Sequence, residues 1–311
     1  MAKMIINGEV YSGSTNYASA ITYIKEDGTK STVQKELDYR PVNNNLLINS
    51  NFANPVNQRG VTAETWIPNR YGIDRWITDM TFSSITNGLT IGSLGTTGFL
   101  SQRFEEGLVE HGKKYSFSIC IDGVIYNGTN TTDNSKGMVF VNNDIIKAYI
   151  DYSTDNDYWY LGLEFKTVGV TIEWAKLELG EVATPYVPRL YNEELELCKR
   201  YYQKIGGLSL VAGFLRICPL ESKSKTQKFG MFLLEKEMRI RPTVYFNRNS
   251  MDIWVTAGNV ALTIPFNTID IVALDTKSVH VEISHNSHDY VAGGYLNFKN
   301  QNDYIAMDAE L

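Results

Sequence analysis

Histidine and cysteine are scarce in this chain, four and three among 311 residues. Cys120, Cys198 and Cys218 are odd in number and far apart, which argues against a disulfide framework and against a cysteine-rich zinc site. Long apolar runs are missing too. Nothing approaches the roughly 18 apolar residues of a membrane span, so no membrane insertion is expected. The opening MAKMIINGEVYSGS has neither a long apolar core nor a small-residue cleavage site. That implies no secretory leader and synthesis in a reducing cytoplasm. Cationic excess is also lacking: the net charge is −6, unsuited to a phosphate backbone, and no nucleic-acid partner is expected. The one basic run, KSKTQK at 223–228, reads as a solvated loop. A phosphate loop, a dinucleotide fingerprint, a nucleophile elbow and a metalloprotease helix are all absent. No catalytic residue and no cofactor is expected.

What is present is β-like. Tyrosine, threonine, valine and isoleucine are plentiful, and glycine and asparagine punctuate short runs. The fold class expected is all-β: two sandwich or jelly-roll domains joined by a short helix and preceded by an extended N-terminal segment. Residues 1–42 form that segment, with one hairpin signal: TYIK and STVQ flank Asp27-Gly28. A lone hairpin is marginal in water, so the segment reads as an attachment point or a loose tail. Residues 43–188 carry runs such as YSFSICI, where Tyr115, Phe117, Ile119 and Ile121 alternate with Ser116, Ser118 and Cys120. In VTIEWAKLEL the polarity changes face midway, which predicts a bulge or a rim position near Lys176.

Residues 189–206 form a linker and helix after Pro185 and Pro188. Asn192 is the expected N-cap, acidic residues lead, basic residues follow, and Gly206-Gly207 is the stop. Leu195, Cys198, Tyr202 and Ile205 then repeat at spacings of 3, 4 and 3. That narrow stripe is either a seam between subunits, in a trimer, or one face packed on a sheet. Residues 207–311 return to strands and form the C-terminal sandwich, with the last residues built into its sheet.

Candidate binding residues are aromatic. In YWY, Tyr158 and Tyr160 share one face and Trp159 takes the other, so one face is buried and one partly exposed. Trp254, Tyr245, Tyr290 and Tyr295 are the corresponding candidates in the last domain. A flat ring can cover the C–H face of a sugar while neighbouring amides bond its hydroxyls. Each ring has a plain alternative as core. His280, His285 and His288 could meet on a shared metal, but read more simply as strand and turn residues. Asp151, Asp155 and Asp157 have a spacing like that of structural calcium loops, without the glycine and glutamate of the helix-loop-helix version. A solvated turn is the reading adopted there, and no metal is assigned.

Several stretches together resemble tail fibre and receptor-binding (baseplate-tip) proteins of tailed bacteriophages and prophages. They are NLLINSNFANPVNQRG, YGIDRW, IEWAKLELGEVATPYVPRLYNEELELCKRYYQKI, the opening YIKEDGTKSTVQKELD and the ending DAEL, about a third of the chain. The resemblance implies a virion component, homotrimeric, bound to phage tail or baseplate proteins through its N-terminus. It implies a carbohydrate-binding-like jelly roll in the middle, with a variable receptor-binding tip and a bacterial cell-surface polysaccharide or teichoic-acid-like glycan as partner. No fibrous shaft is present, so the protein would be stubby. A structural tail part touching only virion proteins, or a glycan-degrading tail enzyme, are the other readings. NPVNQRG and YGIDRW are read as scaffold, with Trp76 a core anchor and Arg59 and Arg75 holding the loop through carboxylates or carbonyls.

Overall fold

A computed structural model describes residues 45–132, 137–154, 157–206, 216–224, 226–246, 251–257, 260–264, 266–285, 294–298 and 304–310, plus four strands before them. Residues 1–44 with 184–187 make one unit; 45–183 with 188–311 make a second. In the first unit β1 (Met4–Ile6) pairs with β2 (Glu9–Tyr11), and β3 (Thr22–Ile24) pairs with β4 (Lys30–Thr32), both antiparallel. The second pair is the hairpin predicted around Asp27-Gly28, with Tyr23 opposite Ser31.

The second unit begins as a β-sandwich. One sheet holds β7 (Thr81–Ser84), β8 (Leu89–Ser93), β10 (Lys114–Ile121), β11 (Val124–Thr131) and β15 (Thr171–Leu179), in the order β11-β10-β15-β8-β7. The other holds β5 (Arg70–Tyr71), β6 (Ile77–Thr78), β9 (Phe99–Arg103), β12 (Met138–Asn142), β13 (Ile146–Ser153) and β14 (Tyr158–Phe165). Its order is β12-β13-β14-β9-β6-β5. Period-two alternation feeds the core between them: Tyr115, Phe117, Ile119 and Ile121 are buried on one side, Leu161, Leu163 and Phe165 on the other. Full burial of such a side chain contributes about 1.5–3 kcal/mol.

The change of face in β15 is a bulge, but at Glu173 rather than near Lys176. Cys120 pairs with Trp174 and Ile121 with Ile172, so Glu173 is the extra residue. Ile172 is therefore inward before the bulge, and Ala175 and Leu177 after it. Asn45 to Ala53 runs along this strand without becoming a regular one. Leu46 N–H donates to Leu177 O at 2.7 Å, and Ala175 N–H donates to Ser50 O at 3.0 Å. Trp76, 0% exposed, anchors the core as expected, edge-on to Phe52 at 5.0 Å and donating from Nε1 to Asn49 O.

The helix differs from its prediction. It is α1 (Tyr191–Cys198), with Leu190 at the N-cap in place of Asn192. Glu193 reaches back to accept the Leu190 N–H at 3.4 Å. The expected continuation is a strand, β16 (Tyr202–Gly206). Two more strands complete its sheet, β19 (Thr243–Phe246) and β25 (Tyr304–Asp308), in the order β16-β25-β19. Pairing with β25 supplies β16 with the backbone partners that a longer helix would have supplied, so tertiary context overrides local propensity. The proposed seam does not survive as one stripe. Leu195 and Cys198 are helical, Cys198 is wholly buried, and Tyr202 and Ile205, an odd number of positions apart on a strand, point to opposite faces.

The remaining strands are β17 (Arg216–Ser224), β18 (Gln227–Leu233), β20 (Met251–Ala257), β21 (Val260–Ile264), β22 (Phe266–Ala273), β23 (Ser278–His285) and β24 (Gly294–Phe298). They form one antiparallel sheet, β21-β20-β24-β17-β18-β23-β22. A second core joins this sheet to the three-stranded one, with Ile205, Ile305, Met307, Val281 and Leu296 among its members. Of the basic run 223–228, Lys228 lies in β18 and is not solvated, against the expectation: it is 0% exposed, and burial lowers its pKa.

Candidate functional site

The outward face of the six-stranded sheet carries the most distinctive arrangement of the chosen residue types. In β14, Trp159, Leu161 and Leu163 turn into the core, so Tyr158, Tyr160 and Glu164 turn out. In β13 the same alternation buries Ile146, Ala148 and Ile150 and sends Lys147, Tyr149 and Asp151 outward. Register brings them together: Tyr149 faces Gly162, Asp151 faces Tyr160, and on β14's other side Tyr160 faces Arg103.

Three tyrosines thus form a platform. Tyr160 meets Tyr149 with ring centroids 6.2 Å apart at 79°, and meets Tyr158 at 6.2 Å and 69°, both edge-on. Cations flank it: the Arg103 guanidinium lies 4.6 Å from the Tyr158 centroid, and Lys147 Nζ lies 4.5 Å from that of Tyr149. Burial, with Asp151 beside the ring, pushes the Tyr160 phenol up to about 12. Burial and the Glu164 carboxylate raise that of Tyr149 as well. Both hydroxyls therefore remain protonated donors at neutral pH. The cleft over this face encloses about 380 Å³, lined also by Thr97, Ser101 and Ser153. Half-exposed rings beside hydroxyls and a charge of each sign can stack on a sugar and bond its hydroxyls.

Gly162 has a specific reason to be glycine. A Cβ there would stand 2.4 Å from the Tyr149 ring, so the missing side chain lets that ring lie across β14.

A second cleft, of about 620 Å³, opens where the sandwich meets the three-stranded sheet; Arg59, Arg70, Tyr71, Tyr202, Tyr245 and Tyr304 line it. Its floor is the NPVNQRG–YGIDRW motif, which holds the end of the chain. Arg59 pairs with Asp308 at 2.9 Å and stacks 3.8 Å from the Tyr202 centroid. Arg75, 1% exposed, pairs with Glu310 at 2.5 Å and lies 3.7 Å from the Tyr201 centroid. Its φ of 75° is a left-handed backbone turn that aims its own N–H at the same carboxylate, at 3.1 Å. Gly72 is required by Trp66, whose indole would lie 2.0 Å from any Cβ. Asp74 is fully buried, and desolvation pushes its carboxyl up to about 7. Its Oδ2 accepts from Gln58 at 2.8 Å, while Oδ1 has no partner among the described residues. The motif is thus scaffold, as the sequence suggested.

Of the residues proposed from sequence, Tyr158 belongs to the platform and Tyr245, 54% exposed, to the second cleft. Trp159 is corrected: at 9% exposure it packs in the core, 4.9 Å from His111 and 5.1 Å from Tyr152. Trp254 and Tyr295 pair directly across β20 and β24. Tyr290 lies outside the described residues. Tyr149 and Arg103 were missed; the alternation in IIKAYIDYS was the available signal for Tyr149. Asp151 and Asp157 each accept a tyrosine hydroxyl, from Tyr160 and Tyr152, and Asp155 lies outside the described residues. Among the described residues no group of three His, Cys, Asp or Glu is placed to hold a metal. No helix among the described residues is long and apolar enough to cross a membrane. No family model, curated protein or solved structure matches this chain.

Proposed function

We propose that this chain is a non-catalytic receptor-binding protein of a tailed bacteriophage, adsorbing to a bacterial cell-surface polysaccharide or teichoic-acid-like glycan. The observation that carries the reading is the outward platform Tyr149–Tyr160–Tyr158, flanked by Arg103 and Lys147. These rings lie outside the core between the two sheets, so their clustering on a cleft favours recognition over core packing. The resemblance of the motif, the joint and the DAEL ending to phage tail proteins supplies the setting. In that setting the N-terminal segment attaches to tail or baseplate proteins, and the protein works at the virion tip as a homotrimer. Three weak sites then act together, so each can be feeble while avidity stays useful. The jelly-roll identity of the sandwich and the receptor role of the C-terminal tip belong to the same proposal.

The test is staining of intact bacteria from a panel of strains by fluorescently labelled full-length protein, with purified surface polysaccharide as competitor. The reading expects strain-selective staining that the polysaccharide displaces, with no reducing ends released from it. Absence of staining across the panel would favour a purely structural virion part. Released reducing ends would favour an enzyme.

A further inference from the structure

We infer that the platform cleft and the joint cleft are two ends of one groove, which takes a linear glycan chain laid across the strands; this rests on the glycan-binding reading above. The argument is one of register. Tyr149 of β13 faces Gly162 of β14, Gly162 faces Ser101 of β9, Ser101 faces Ile77 of β6, and Ile77 faces Tyr71 of β5. Directly opposed residues in a sheet share a face. These five therefore form a single straight row across five strands. Four strand spacings make the row roughly 19 Å long.

The two ends of that row are tyrosines, one in each cleft, and Ile77 lines both clefts. Between them stand Gly162, over which the Tyr149 ring lies, then Ser101 and Ile77, both of which line the platform cleft. Beyond Tyr71 the three-stranded sheet continues the aromatic lining. Its members Tyr304 and Tyr245 turn toward the cleft, Tyr202 lies buried beneath Arg59 at the cleft floor, and Ile205, Ile305, Val244 and Phe246 turn into the second core. A single sugar would fill one cleft and leave the other idle. A chain of several units would cover both.

The row also separates a glycan from a peptide. An extended peptide binds a sheet by adding a strand at an unpaired edge. This groove crosses the face of paired strands, whose backbone groups are already used in the ladders. What it offers is rings and side-chain polar groups, the complement of a polyhydroxylated chain.

The experiment measures Kd of the full-length protein for a panel of linear oligosaccharides graded from one sugar to the longest obtainable, using wild type, Tyr160→Ala, Tyr245→Ala and Tyr245→Phe. The groove predicts that affinity rises at least about tenfold once the chain is long enough to reach both clefts. It predicts that Tyr245→Ala removes this gain while Tyr245→Phe, which keeps the ring, retains it. Unfolding midpoints of all three variants are measured alongside, since a variant that unfolds says nothing about contacts, and Tyr245→Phe controls for that. A Kd independent of length, or a length gain untouched by Tyr245→Ala, would overturn the single groove and leave glycan binding standing. Wild type that binds no oligosaccharide of any length would overturn both.

Discussion

The protein stacks cations on tyrosines in two places, with opposite outcomes. In the joint, Arg59 and Arg75 lie 3.8 and 3.7 Å from the Tyr202 and Tyr201 centroids, withdrawn from solvent and paired with carboxylates at the end of the chain. On the sheet, Arg103 and Lys147 stack on Tyr158 and Tyr149 at 4.6 and 4.5 Å, half exposed. The chemistry is the same and the environment differs. A buried cation without a carboxylate partner costs several kcal/mol, and Asp308 and Glu310 supply those partners, so the joint is locked. A partly exposed cation keeps solvent within reach even when paired, as Lys147 is with Glu164 at 3.2 Å, so the sheet face is open. Residue type alone therefore does not separate scaffold from binding surface here; burial does.

The largest effect should come from breaking the lock. Glu310→Ala leaves Arg75 buried without its carboxylate and should cost about 3–5 kcal/mol, read as a lower denaturant midpoint. A change within experimental error would mean the joint is not held by this pair. Trp159→Ala should cost a similar amount, about 3–5 kcal/mol, because it empties a core position. Its neighbour Tyr160→Ala, on the other face of the same strand, should cost about 1 kcal/mol or less and yet weaken adsorption. If the two neighbours behave alike, the assignment of faces is wrong.

Asp74 offers a pH test of the lock. Its folded pKa of about 7 lies above the unfolded value near 3.9, so the folded state holds the proton more tightly. Ionisation therefore takes stability away as pH rises from about 4 to about 7. Arg59 and Glu310 act on it with opposite signs, and its charge adds to the burial that pushes up the Cys198 thiol. Asp74→Asn keeps an acceptor for Gln58 and should remove this slope, gaining on the order of 2–3 kcal/mol over wild type at pH 8 and little at pH 4. Parallel stability curves for the two proteins would contradict it. Gly162→Ala should likewise have a small effect on stability, about 1 kcal/mol, since the atoms it meets are the far end of the Tyr149 ring. By displacing that ring it should still reduce glycan affinity in a titration.

Much of this was legible in the sequence because the signals are local. Alternation in YSFSICI named the inward face of β10, and the same rule split YWY correctly into one buried ring and two outward ones. Trp76 was readable as an anchor, and Arg59 and Arg75 as holders of a loop. Their partners were not readable: Asp308 and Glu310 lie some 250 residues on, and no local pattern announces a pairing at that separation. The helix was over-extended for a related reason. The charges through Lys204 suit a helix, but β25 recruits Tyr202–Gly206 as a strand, and propensity yields to pairing. The bulge was inferred from a real change of polarity, yet its position at Glu173 is set by the neighbouring strand. Tyr149 sits in a strand that alternates cleanly, but alternation alone does not say that its ring meets Tyr160 across the sheet, which the β13–β14 register sets.

The most direct test of the contrast between a locked and an open arrangement is adsorption of the double variant Tyr149→Ala/Tyr160→Ala to a strain that wild type stains, with its unfolding midpoint measured in the same preparation. The account predicts at least about a tenfold loss of adsorption with stability lowered by no more than about 2 kcal/mol. Undiminished adsorption by a folded double variant would contradict it, and would move the receptor contact away from this face.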